Sequence, residues 1–178
     1  MRSQLGEGYE IFEEGLGGRT TVFDRLPSGY RSGRDMLAPL VETHAPLDLV
    51  ILLLGTNDVS LGHLDVDDIA KGMGELAGIV QRSYECGPSD EVPPQVLIVA
   101  PPAVGPLLPE ELPLYAGAIE RSRALPAAYR TLSERMSCHF LDLSAVVRTS
   151  PLDGWHWEAS EHHEAGRALA LRVREILG

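Results

Sequence analysis

Two short, wholly apolar runs that end at chain-breaking residues constrain this sequence most. Leu49-Val50-Ile51-Leu52-Leu53-Leu54 stops at Gly55, and Val96-Leu97-Ile98-Val99-Ala100 stops at Pro101-Pro102. A run of about 4–8 residues with no polar alternation fits a strand buried on both faces, as in a parallel sheet, and is short for a buried helix. Tyr9 to Phe12, followed by the glycine cluster Gly15-Leu16-Gly17-Gly18, and His139 to Leu143 read as two further strands. Between them lie helical patterns: Asp35 to His44; Asp67 onward, with Ile69, Met73, Leu76 and Val80 at helical spacing; Tyr115 to Met136, with Pro126 marking a kink or break; and Ala159 to Leu177, with Leu169, Val173 and Ile176 on one face. The order β-α-β-α-β-α-β-α predicts an α/β layered fold. The Pro- and Gly-rich segments Val22 to Arg34 and Pro101 to Pro113 read as long loops, which serve function when they lie beside strand ends.

With 178 residues, the chain is expected to form one domain, 1–178. Its 15 basic and 26 acidic residues leave a formal net charge of -11. That charge repels phosphate backbones and anionic bilayers, so neither nucleic acid nor a membrane is expected as a partner. Cys86 and Cys138 stand far apart in sequence and read as free thiols of a reducing compartment. No apolar run approaches the ~20 residues of a membrane span, and the first residues hold no secretory h-region. A cytoplasmic address is expected.

Three constellations are able to carry chemistry. Gly55-Thr56-Asn57-Asp58 follows the most apolar strand, at the sheet edge where open α/β folds bind ligands; the plain alternative is a turn whose Asn and Asp bond their own backbone. Asp153-Gly154-Trp155-His156 is a D-x-x-H just before the last helix. An Asp so placed can hold the His Nδ1–H and leave Nε2 as a base; the alternative is a capping Asp beside an exposed His. Gly15 to Gly18 offers bare backbone N–H groups to an anion, or is a plain glycine turn. No metal site is read from the histidines: His162-His163 are neighbours that diverge on a helix, and H-E-x-x-H spacing is missing.

Together, the glycine loop, Gly55 to Asp58 after an apolar strand and the terminal D-x-x-H resemble the SGNH (GDSL-type) hydrolases, in their bacterial arylesterase/acyltransferase branch. The resemblance implies a three-layer α/β/α sandwich with a flavodoxin-like parallel sheet. It implies an esterase or acyltransferase acting on short-acyl or aryl esters, with a small-molecule ester as partner and no cofactor. By the same resemblance Gly18 and Asn57 match the oxyanion-hole donors, His156 the general base and Asp153 its orienting carboxylate, while Trp155 is a candidate wall of the acyl pocket. A homo-oligomer is left open.

The family's remaining block, a nucleophilic serine in a Gly-Asp-Ser turn after the first strand, is not in these residues; Ser3 alone precedes the glycine loop, and it lacks that context. The resemblance therefore implies a chain that begins late, with its central strand, the neighbour of both Tyr9–Phe12 and Leu49–Leu54, missing. Those two segments are then expected to close up and pair, or another segment to fill the gap. The alternative reading is a catalytically dead relative that binds a small molecule, or a subunit that takes a strand from a partner.

Overall fold

The computed structural model describes residues 1–24, 29–89 and 91–178; part of the expected loop from Val22 to Arg34 thus lies outside the described residues. The strands are β1 (Leu49–Leu53), β2 (Gln95–Ala100) and β3 (His139–Asp142). They form one parallel sheet in the order β1-β2-β3, with Leu49 opposite Gln95 and Leu97 opposite His139. The helices are α1 (Arg2–Leu5), α2 (Gly33–Thr43), α3 (Val66–Gln81), α4 (Ala118–Met136) and α5 (Ala159–Leu177).

The period of two within each strand divides the apolar side chains between two layers. Val50, Leu52, Val96, Ile98 and Ala100 pack with Ile69, Met73 and Leu76 of α3 and Leu125, Tyr129 and Leu132 of α4. Leu49, Ile51, Leu53, Leu97, Val99 and Leu141 pack on the opposite face, against residues of α5 such as Ala165, Leu169 and Val173. The result is an α/β/α sandwich. Replacing Ile98, which is fully buried in the central strand, by alanine is expected to cost about 2–5 kcal/mol of unfolding free energy in a denaturant titration.

Local chemistry sets the helix ends. Asp65 accepts a hydrogen bond from the Asp68 backbone N–H (2.8 Å), and Asp68 accepts one from that of Asp65 (3.2 Å), so a reciprocal capping box starts α3 at Val66. Two expectations are corrected here. Helix α4 begins at Ala118 rather than Tyr115, and it runs on through Pro126, because a proline removes one N–H from a 19-residue ladder whose buried face, Ser122, Leu125, Tyr129 and Leu132, is held by packing. No described helix is long and apolar enough to cross a membrane.

The larger correction concerns Tyr9 to Phe12, which forms no strand. A strand needs a hydrogen-bonded neighbouring strand, and this segment has none among the described residues. Instead Arg2 donates to the Ile11 carbonyl (2.7 Å), Phe12 stacks on His44 with ring centroids 4.4 Å apart, and Tyr9 and Ile11 pack with Leu5 and Val173. The expected closure onto β1 does not occur. A cavity of about 1090 Å³ lies along β1, walled by Tyr9 to Phe12 and by residues of α2 and α5. In consequence β1, the most apolar strand, has only Leu52 buried, whereas β2 is buried from Val96 to Ala100.

Candidate active site

The site is assembled at the carboxyl ends of the strands. After β1 the chain turns at Gly55, whose φ of +121° is open chiefly to glycine; a Cβ there would stand 2.7 Å from the Tyr129 hydroxyl. That hydroxyl donates to the Leu54 carbonyl (3.2 Å), and the Arg121 guanidinium donates to the Val59 carbonyl (2.7 Å from Nη2), so α4 grips the turn on both sides. Between these points the Asn57 side-chain amide donates to the Arg19 carbonyl (3.0 Å). Asn57 and the glycine loop are thus brought together, with Gly18 at a φ of +80° beside the contact.

Asp58 is fully buried. Its carboxylate accepts the Thr21 backbone N–H (2.9 Å) and the Thr21 hydroxyl (2.6 Å). Burial pushes its pKa up, and the Thr21 hydroxyl and N–H pull against that shift. The Asp58 carboxylate also feels its own backbone N–H, as the turn alternative expects, but its contacts extend beyond the turn to Thr21. Asp58 reaches back to the glycine loop and fixes it to the end of β1. Sequence reasoning missed this role, although an acid directly after a buried strand needs buried donors and Thr20-Thr21 lies just past the glycines. Replacing Asp58 by alanine strands both Thr21 donors, and each buried unsatisfied group costs ~1–3 kcal/mol. A loss of about 2–5 kcal/mol in urea unfolding is expected, with faster amide exchange at Gly18 to Thr21.

A second group of candidate residues, the D-x-x-H turn, is tied to the loop after β2. Gly105 N–H donates to the Gly154 carbonyl (2.8 Å), and Ser150 N–H to the His156 carbonyl (2.6 Å), which fixes both sides of the D-x-x-H turn. Within it one oxygen of Asp153 accepts the backbone N–H groups of Trp155 (2.7 Å) and His156 (2.9 Å), and the other meets the His156 Nδ1 at 2.8 Å. The His156 N–H, the Trp155 N–H and the His156 ring, in that order, hold the Asp153 carboxyl at a pKa of about 2. Helix α5 starts only at Ala159, so this Asp does not cap it. The His156 side chain is 87% exposed while its Nδ1 is engaged. A base with a fixed tautomer and an open Nε2 is what this arrangement can supply. Trp155 is half-buried and meets Tyr115 edge to face at 5.0 Å, at the far end of the loop after β2.

Residues 1–164 match the family model of the GDSL-like lipase/acylhydrolase family. The chain belongs to that family. Among solved structures, this acylhydrolase-family chain is similar to the M. smegmatis aryl esterase at 35% identity and a TM-score of 0.92, over 99% of this chain and 83% of that one. A carbohydrate acetylesterase from Sinorhizobium meliloti matches at 35% identity and a TM-score of 0.93, with the same coverage. A putative arylesterase from Agrobacterium tumefaciens matches at 39% identity and a TM-score of 0.86, over 98% of this chain and 84% of that one. No curated protein matches.

Proposed function

We propose that this protein is an esterase or acyltransferase for short-acyl or aryl carboxylic esters with a Ser-His-Asp type mechanism, whose serine is not among these 178 residues. The Asp153–His156 pair is the observation that carries the reading. The family match and the aryl esterase and acetylesterase likenesses support it.

In this reading His156 Nε2 takes the proton of the serine hydroxyl as its oxygen bonds to the ester carbonyl carbon, and Asp153 steadies the imidazolium that forms. The carbonyl electron pair moves onto oxygen, where the Gly18 backbone N–H and the Asn57 amide stabilise it. The intermediate collapses, the alcohol departs with the proton from His156, and water or a second alcohol repeats the sequence to release the acyl group. Trp155 and Tyr115 wall the acyl side.

The test is turnover of p-nitrophenyl acetate once a serine-bearing segment is supplied, with acetylated serine detected by mass spectrometry. Binding of esters without acylation would instead support a dead, ligand-binding relative. The pH dependence is set by the low pKa of Asp153. A carboxyl depressed to about 2 contributes its stabilisation above the ordinary aspartate value and loses it only as pH falls toward 2. Asp153 is therefore expected to add no proton step to kcat/KM above the ordinary aspartate value. A step assigned to Asp153 above that value would contradict the pairing.

A further inference from the structure

We propose that Ser150 is a positioning residue for the Asp153–His156 pair: together with Glu158 it locks the turn that carries both side chains onto the first turn of α5. The proposal rests on the ester reading only for what the imidazole does, not for how it is held.

The His156 side chain is 87% exposed, so packing does little to fix its rotamer. Among the described residues, Asp153 is the one side chain hydrogen-bonded to its ring. The aim of Nε2 therefore depends on the backbone from which both side chains project. Residues 148–150, just before that backbone, are anchored one by one. The Arg148 N–H donates to Glu161 (2.7 Å), the Thr149 hydroxyl to the Ala103 carbonyl (3.3 Å) and the Ser150 hydroxyl to Glu158 (2.5 Å).

Ser150 carries this anchoring on into the turn. Its N–H donates to the His156 carbonyl (2.6 Å), and its carbonyl accepts the Gly154 N–H (2.8 Å). Its Oγ accepts the Leu152 N–H (3.2 Å) while its own proton goes to Glu158. Every polar group of Ser150 is thus engaged, and the residue is 4% exposed. Glu158 stands at the N-cap of α5, yet its side chain makes no capping bond there. It accepts the Ser150 hydroxyl instead, a bond to a carboxylate, which is stronger than one between neutral groups. The tie from Gly105 to Gly154 holds the turn at one point and permits pivoting about it; the Ser150 contacts remove that freedom. With the turn fixed, the neutral imidazole keeps its proton on Nδ1, facing Asp153, and leaves Nε2 open. A turn that swings releases Nδ1, and the proton then distributes over both nitrogens.

The test is ring-nitrogen NMR of His156 in the 178-residue protein, at a pH where the imidazole is neutral, with amide exchange alongside. In Ser150→Ala and in Glu158→Ala the Nδ1–H form is expected to lose its predominance. Exchange at Gly154 to His156 is expected to quicken about tenfold while Ile98 and Val99 in β2 keep the wild-type rate. The two changes together should move the ring no further than either alone, because both open one clamp. Ser150→Thr, which keeps the hydroxyl, and Glu158→Gln, which keeps an acceptor, should restore the Nδ1–H form. Glu158 is exposed, so its variants report even where Ser150→Ala fails to fold. An unchanged ring in the alanine variants, no rescue by threonine, or equal acceleration in β2 overturns the proposal. With a serine-bearing segment supplied, kcat for p-nitrophenyl acetate should fall about tenfold or more in the alanine variants at unchanged KM. A ring that responds as expected, with no turnover in any version, leaves Ser150 as the positioning residue of the pair and removes the ester reading.

Discussion

Replacing His156 by alanine in the protein supplied with a serine-bearing segment is expected to lower kcat/KM for p-nitrophenyl acetate by about 10⁴-fold or more. The loss comes from the proton transfers, since without the imidazole nothing receives the serine proton or returns it to the alcohol. The variant also separates chemistry from folding. The His156 ring is largely in solvent, and exposed substitutions usually change stability by less than ~0.5 kcal/mol. Unfolding curves should superpose while turnover collapses. Retention of wild-type turnover would remove His156 from the reaction.

Asn57→Ala is expected to reduce kcat by ~10²–10³, the usual effect of losing one oxyanion donor, with little change in KM. A structural explanation must be separated here, because Asn57 also holds the Arg19 carbonyl. Two observations do so. The glycine loop keeps its second anchor, Asp58 on Thr21, so the loop should remain in place. In addition, Asn57→Asp preserves size but removes the N–H donor, and it should lose as much activity as the alanine variant. A drop confined to KM would mean that Asn57 serves binding alone.

The layered α/β class was legible in the alternation of strands and helices, and β1 and β2 in the apolar runs, because a strand in the middle of a parallel sheet leaves little freedom in its composition; β3, with His139 and Asp142 in it, carries a weaker signal. The D-x-x-H pair was legible too, since its geometry is local: Asp153 satisfies groups two and three residues away. What the sequence did not show depends on distant partners. Asp58 looks like an ordinary turn residue until Thr21 is placed beside it. Tyr9 to Phe12 has strand composition, but whether such a segment becomes a strand is decided by the edge it meets, and the β1 edge lies across the cavity. Pro126 looks like a break, yet tertiary burial around Leu125 and Tyr129 outweighs one missing N–H.

Helix α4 touches the turn after β1 twice, through Tyr129 on the Leu54 carbonyl and Arg121 on the Val59 carbonyl. Two fixed points, a little over two helical turns apart on one rigid rod, splint the five peptide units between them. The segment bearing Asn57 therefore has no hinge. The proline-rich loop from Pro101 to Pro113 is tied to the body at its start, by Ala103 to Thr149, Val104 to Ser122 and Gly105 to Gly154, and Leu108 to Glu110 beyond those ties are exposed. If the proposed ester reaction holds, selection for new acyl groups should accumulate changes in that outer part of the loop and leave the Leu54–Val59 turn untouched.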